Sequence, residues 1–369
     1  MRYLVTLFPM FFSLVACAAE PDAHNQMVVA EQSVVNVQPS SADELEQVPQ
    51  ILTHWQQDNA RLTGDFADNP RALAFIDQMV AKHSFERSQL NQLLTEAKHL
   101  ERLIQLMDKQ APGADTPGPN GAWVRYRNNF LTPDNINNGV QFWKQHQAVL
   151  ARAEKVYGVP AEIIVGIIGV ETRWGKRVGN VRVIDALSTL SFNYPRRAEF
   201  FSGELETFLL MARKQGDDPL SWQGSFAGAV GYPQFMPSSI KRYAVDFDGD
   251  GQINLWQPVD AIGSVANYLR EHGWKPGALV AVPARGKAPK LESGYQTKYS
   301  VAKLKAAGLE PKQPLKNSQQ VSLLRLDMGK DYQYWFGLPN FYTLTRYNRS
   351  VHYAMAVWQL GEAVNKARH

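Results

Sequence analysis

Residues 160–175 read PAEIIVGIIGVETRWG, and this stretch decides how the rest of the chain is organised. Pro160 suits a first helical position, where its missing N–H would have no helical partner. Residues 163–170 are apolar or Gly throughout, so the helix is buried on most of its surface. It is far too short to span a bilayer. Gly166 and Gly169 lower helix propensity, which predicts another element packed very close. The apolar run ends in one carboxylate, Glu171, followed by Trp174. Burial and the negative end of the helix dipole, near Gly175, both favour the neutral acid. A carboxyl that keeps its proton near neutral pH can give it to a leaving oxygen, as a glycosidase acid does. The plainer reading is a helix-end residue salt-bridged to Arg173 or Lys176.

Around this helix the chain has 369 residues, 44% hydrophobic and 20% charged, with a net charge of +4. That is an ordinary globular composition, long enough for two or three lobes. No Lys/Arg-rich run stands out, so nucleic acid is not indicated as a partner. The single cysteine, Cys17, closes an apolar run that follows Met1-Arg2. The run has the form of a secretory signal, and Leu14-Val15-Ala16-Cys17 resembles a bacterial lipobox, whose cysteine carries lipid. A plain signal peptide with an incidental cysteine is the alternative. With no second cysteine there is no disulfide partner. Ala18 after the cysteine points, by resemblance to lipoproteins, to the outer membrane. Residues 18–50 hold six acids and no Lys or Arg and read as a tether.

From 69 to 110 the spacing predicts helices, one starting at Asn69-Pro70 and one running through Leu90 to Met107. Residues 111–121, rich in Pro and Gly, form a loop. Thr132 and Asp134 are plausible caps around Pro133, and a helix over about 137–157 leads into the Glu171 helix. Further helices are expected over 183–190, 198–214 and 262–272, and a closing one over 351–367. The small-residue segment GSFAGAVGY invites close backbone approach to a ligand. From 279 to about 345 short alternating runs, LVAVPA, VSLLRLDM, YQYWFG and FYTLTR, predict a small β-rich insert.

Residues 246–260, DFDGDGQINLWQPVD, carry the sharpest metal motif. Asp246, Asp248 and Asp250 alternate, the Gln252 carbonyl comes next, and Gly251 stands where a calcium loop turns. Gln257 occupies the twelfth position, where the bidentate Glu is usual, and Asp260 is a candidate for the closing carboxylate. The alternative is a solvated acidic turn. Such a site is structural, because clustered carboxylates held by a metal are poor proton donors.

The blocks VYGVPAEIIVGIIGVETRWG, YPRRAEFF, GSFAGAVGYPQFMPSS, DFDGDG with INLW, and LPNFYTLTRYNRSVHYAMAVWQL resemble the membrane-bound lytic murein transglycosylase B family from about Phe66 to the C-terminus. The resemblance implies a mainly α (α+β) fold: a lysozyme-like helical catalytic core, an N-terminal helical lobe and a small β-rich lobe. The corresponding divisions are 1–17 signal, 18–50 tether, 51–140 N-terminal lobe, 141–277 core with the cation loop 246–260, 278–346 β-rich lobe and 347–369 closing helix. It implies cleavage of the β-1,4 bond between N-acetylmuramic acid and N-acetylglucosamine in peptidoglycan, leaving a 1,6-anhydromuramoyl end. Glu171 takes the acid/base position. Ser225 and Gln234 match sugar-contacting positions, and Tyr126, Arg196, Arg197, Tyr268, Tyr347, Asn348 and Tyr353 match residues lining the groove. For the tyrosines core packing is the alternative, and for Arg196-Arg197 internal ion pairs instead of stem-peptide carboxylates. Asp246, Asp248, Asp250, Gln252 and Asp260 match a loop that binds Ca2+ or Na+, with no catalytic cofactor. Pro233 stands where some relatives carry Gly. Peptidoglycan strands, the outer membrane through a lipid anchor and, as a further class, cell-wall synthesis proteins are the implied partners of a monomer facing the periplasm. The rival readings are a hydrolytic muramidase, which would need a second carboxylate near Glu171, and a non-catalytic glycan-binding lipoprotein.

Overall fold

Two helices crossing at backbone contact set the frame. A computed structural model describes residues 61–110, 119–286 and 290–369; Cys17 and the expected tether lie outside the described residues. The helix Ala161–Thr172 packs along the closing helix Val351–Ala367. A Cβ on Gly166 would stand 2.2 Å from the Val357 carbonyl oxygen, and one on Gly361 would stand 2.1 Å from that of Glu162. Neither position admits a side chain, which is why a good helix former is absent from both. The helix Pro133–Gln145 packs against both, and Gln147–Tyr157 and Pro258–Glu271 complete the surround.

A second pair, Val183–Asn193 and Ala198–Gln215, carries the N-terminal helices Pro70–His83, Arg87–Glu96 and Glu101–Gln110. Asn69 caps the first of these by accepting from the Arg71 and Ala72 N–H groups. One hydrophobic core runs through all these helices, and a second, smaller one around Val282, Leu304, Leu309 and Phe336 fills a β-rich lobe. Its five-stranded antiparallel sheet runs in the order Tyr299–Ser300, Gln320–Asp327, Tyr332–Gly337, Ala281–Gly286, Leu309–Pro311. Asp327 ties this lobe to the short helix Ala122–Asn128: its carboxylate accepts from the backbone N–H groups of Asn120 (2.7 Å), Gly121 (2.8 Å) and Ala122 (3.3 Å). Although desolvation pushes the Asp327 pKa up, these donors and Gly329 N–H hold it down at about 2.

Three expected elements take another form. FYTLTR is not a strand but part of the helix Pro339–Tyr347. Pro339 presets the first turn, and Phe341, Leu344 and Tyr347 recur every three residues on its buried face. The stretch through Leu90 to Met107 is two helices, because the Lys98 and Leu100 N–H groups are taken by Asp185 Oδ1 and Thr189 Oγ1 of the next layer. The helix expected over 137–157 starts earlier, at Pro133 with Thr132 as its cap, and breaks at His146 (φ −116°, ψ 21°).

Candidate active site

Glu171 is the penultimate residue of its helix and is 7% exposed. The helix stops just beyond it, with Arg173 (φ 49°) and Trp174 (φ 57°) both left-handed. Two successive non-Gly residues in that region store strain, a feature that concentrates at functional sites. Thr172 holds the turn: its hydroxyl donates to the Tyr232 carbonyl (3.2 Å) and accepts from Gly175 N–H (3.1 Å). Arg173 donates to the Asn129 carbonyl and Lys176 to Asn138 Oδ1, so the basic neighbours of Glu171 face outward. Its partner is Tyr353, whose hydroxyl donates to Oε1 at 2.5 Å. Burial raises the Glu171 pKa to about 7, against the smaller lowering effect of that hydrogen bond. Burial and the adjacent Glu171 raise the Tyr353 phenol well above its ordinary value, so the phenol keeps its proton and stays the donor.

The aromatic wall behind this pair is layered. Tyr353 stacks on Tyr347 (6.3 Å between centroids, 14°), and Tyr347 lies 4.8 Å from Tyr268. The Tyr347 hydroxyl donates to the Pro233 carbonyl (2.6 Å) and that of Tyr268 to the Arg346 carbonyl (2.7 Å). Asn348, 6% exposed, ends the Pro339–Tyr347 helix. Half-buried Tyr126 packs on Phe130 and His352.

Beside the Glu171 turn lies a cleft of about 590 Å³. Ser225 and Gln234 line it together with Arg102, Lys176, Arg177 and Phe226. The Ser225 hydroxyl accepts from Ala229 N–H (3.1 Å). Gln234 is held left-handed (φ 52°), and its amide donates to the carbonyls of Val178 (3.1 Å) and Gly231 (2.9 Å). Those bonds fix the side chain and leave its amide oxygen as the acceptor for a ligand.

In the acidic loop, carboxylate oxygens of Asp246, Asp248 and Asp260 lie within 4.8 Å of one another. Oxygens sharing a calcium ion at about 2.4 Å can be no farther apart than about twice that, so the spacing fits one. Gly251 makes the turn at φ 90°. Buried Asp260 reaches back from its helix and accepts from the Phe247 and Asn254 N–H groups, both at 2.7 Å. Asp250 stands outside the three-carboxylate cluster; its carboxylate accepts from Gln252 N–H (2.8 Å).

The Transglycosylase SLT domain family matches residues 68–362. The chain belongs to this transglycosylase family. It is 60% identical over 370 residues to the membrane-bound lytic murein transglycosylase B of Escherichia coli, an alignment covering 100% of this chain and 99% of that one. The E. coli lytic transglycosylase Slt35, solved in complex with calcium, superposes at a TM-score of 0.79 and 66% identity, over 84% of this chain and 96% of that one. Pseudomonas aeruginosa SltB3, solved in complex with NAG-anhNAM-pentapeptide, superposes at a TM-score of 0.69 and 29% identity, over 80% and 78%. The mainly α fold with its small β-rich lobe is therefore the lysozyme-like fold of Slt35.

Within this transglycosylase, Glu171, Tyr353, Tyr347 and, through the neighbouring turn, Gln234 and Ser225 come together. Tyr268, 2% exposed, backs Tyr347 from the core. Arg196 and Arg197 lie apart, on their own partners: Arg196 faces Asp108 at 3.6 Å, and Arg197 lies 4.3 Å over the Phe200 ring. Sequence reasoning passed over Arg102 and Arg177 and weighed Lys176 only as an ion-pair partner of Glu171. Lys176 and Arg177 lie five and six residues beyond Glu171 and are the readable signal. Arg102 lies on another helix, and only the tertiary fold brings it to the cleft.

Proposed function

We propose that the chain is a lytic transglycosylase that cuts the β-1,4 bond between N-acetylmuramic acid and N-acetylglucosamine, with Glu171 as its single acid/base. The observation that carries this is a buried carboxyl with a pKa of about 7, hydrogen-bonded to a phenol and, among the described residues, to no base. Near neutral pH such a group divides between acid and base forms, and one residue can serve both steps. Protonated Glu171 gives its proton to the glycosidic oxygen as the C1–O bond breaks. The N-acetyl carbonyl oxygen of the muramic acid stabilises the cation at C1. Glu171, now a carboxylate steadied by the Tyr353 hydroxyl, takes the proton of the C6 hydroxyl. O6 then bonds to C1, which closes the 1,6-anhydro ring and restores the acid. Ser225 and Gln234 orient the sugar. Tyr347 and Tyr353 wall the site, with Tyr126 at its edge.

A hydrolytic reading needs a second carboxyl across the bond. Two carboxyls on the helix Ala198–Gln215 are spoken for. Glu204 is buried and accepts from both the N–H (2.8 Å) and the hydroxyl (2.6 Å) of Ser238, and Glu206 pairs with Lys82 and His83. The family relationship and the SltB3 complex with an anhydro-sugar ligand support the non-hydrolytic course.

The acidic loop holds a structural Ca2+ through Asp246, Asp248 and Asp260, with Asp250 and the Gln252 carbonyl completing the set. The calcium complex of Slt35 supports this reading. Cys17 carries a lipid that fixes the protein to the outer membrane with its catalytic body in the periplasm. The name of the membrane-bound E. coli relative supports attachment, and among the described residues no helix is long and apolar enough to cross a membrane.

The deciding experiment is mass spectrometry of muropeptides released from purified peptidoglycan by the protein and by its Glu171→Gln variant. Anhydro ends from the parent and none from the variant are expected. Reducing ends from the parent would overturn the mechanism.

A further inference from the structure

We propose that Tyr232, Pro233 and Gln234 form a positioning joint between the acidic loop and the sugar site, so that calcium in the loop and glycan in the groove tighten each other's binding. The proposal rests on the cation and peptidoglycan readings above and adds a link between them.

The loop end of the joint is a close backbone contact. Tyr232 N–H donates to the Leu255 carbonyl at 2.8 Å. A Cβ on Gly231 would stand 2.3 Å from that same oxygen, and Gly231 is left-handed at φ 69°, so only glycine lets the two segments meet here. Leu255 is 2% exposed and anchors the loop in the core. It follows Asn254, whose N–H donates to Asp260 Oδ2 at 2.7 Å. Asp260 is the buried member of the three-carboxylate cluster. The negative charges of that cluster repel one another, and a cation between them turns the repulsion into attraction. Any shift of Asp260 therefore reaches Leu255 through the neighbouring residue.

The site end touches the acid's turn, the aromatic wall and the sugar-orienting amide in successive residues. The Tyr232 carbonyl accepts from Thr172 Oγ1 at 3.2 Å, a hydroxyl that also reaches the Ile168 carbonyl at 3.3 Å. The Tyr232 ring covers Gly175 so closely that a Cβ there would stand 2.2 Å from Cζ. Both contacts fall on the turn that ends the Glu171 helix. The Pro233 carbonyl accepts from the Tyr347 hydroxyl at 2.6 Å. Gln234 Nε2 donates back to the Gly231 carbonyl at 2.9 Å, which ties the side chain that orients the sugar to the residue abutting Leu255. The Pro233 ring fixes φ at the centre of the joint, so a displacement at one end is passed to the other.

The acid is seated by its own helix. What the joint sets is where Gln234 stands relative to it. A displaced loop carries Leu255, Gly231 and the Gln234 amide with it, and a glycan that needs Gln234 in place favours the cation-filled loop. Such coupling is reciprocal.

The test measures binding in the full-length Glu171→Gln protein, which leaves the glycan uncut. Isothermal titration gives the calcium Kd with and without saturating GlcNAc–MurNAc tetrasaccharide, and the tetrasaccharide Kd with and without calcium. Each ligand should tighten the other about fivefold, by the same factor in both directions. Tyr232→Ala uncovers Gly175 and Pro233→Gly frees the joint. Both should bring the factor towards one and leave the calcium Kd without glycan unchanged, since no cation ligand is touched. Tyr232→Phe keeps the ring and should keep the factor. A merely structural role would lower the melting midpoints of the Ala and Gly variants and leave the factor intact. Calcium and tetrasaccharide that both bind without affecting each other overturn the proposal, as does a factor that survives both Tyr232→Ala and Pro233→Gly. Failure to bind calcium at all would overturn the cation reading and the proposal with it, and failure to bind the tetrasaccharide would do the same to the peptidoglycan reading.

Discussion

Replacing Glu171 by Gln should stabilise the protein, and only above a certain pH. Glu171 carries a pKa raised from 4.5 to about 7, chiefly by burial. In the unfolded chain the carboxyl ionises near 4.5; in the fold it resists until about 7. The folded state therefore binds the extra proton between those values, and stability falls as pH rises through them. At about 1.4 kcal/mol per pH unit, the penalty reaches about 3 kcal/mol once both states are ionised. Gln keeps an oxygen to accept from Tyr353 and has nothing to ionise. Urea unfolding of both proteins at pH 4.5, 6, 7 and 8.5 measures the difference, since Tyr353, the group that feels the Glu171 charge, keeps its proton throughout this range. The variant should match the parent at the acid end and exceed it by about 3 kcal/mol at the alkaline end. A difference that is constant with pH, or a variant less stable at pH 8.5, would refute the account of a desolvated acid.

Other outcomes follow from the same geometry. Tyr353→Phe removes the donor that lowers the Glu171 pKa, so the alkaline limb of the pH–rate profile should move upward by on the order of one unit; a shift to lower pH would mean the phenol plays another part. Gly166→Ala places a methyl against the Val357 carbonyl and should destabilise by about 2–3 kcal/mol in urea unfolding; a neutral result would mean the helices slide apart freely. Removing calcium by chelation should lower the melting midpoint, and restoring it to about 100 times its Kd should return about 2.7 kcal/mol; identical melts with and without the ion would contradict the site. Asp327→Ala should cost about 1–2 kcal/mol by uncapping the Ala122–Asn128 helix and speed amide exchange at Gly121 and Ala122. Because the Asp327 pKa is depressed to about 2, the wild-type advantage should hold above the ordinary carboxylate range and fade as pH falls through that value.

Legibility in the sequence followed the range of the physics involved. The Glu171 helix, the Asn69 and Thr132 caps and the turn at Gly251 were readable because each rests on local geometry. Gly166 announced a close neighbour, but not that the neighbour was a helix carrying Tyr353. The split at Ala97 was unreadable, since the Asp185 and Thr189 side chains that reward it come from elsewhere in the fold. FYTLTR misled because β-branched and aromatic residues outweighed a three-residue spacing behind Pro339. In the site, the acid stood out as the one carboxylate that closes a long apolar run. The bond that steadies it joins residues 171 and 353, and the cleft joins residues 102 and 177. Neither pairing leaves a mark on the chain between them.

The crossing at Gly166 and Gly361 fixes more than two backbones. Glu171 lies five residues beyond Gly166 on one helix, and Tyr353 lies eight before Gly361 on the other. With carbonyls abutting at both glycines, the helices have no slack to slip along or roll against each other. The proton-carrying oxygen and the hydroxyl that steadies it are thus mounted on a single rigid joint, and their alignment is set before any glycan arrives. Loops around the groove can drift in length and composition without detuning the acid, because its tuning was never entrusted to them.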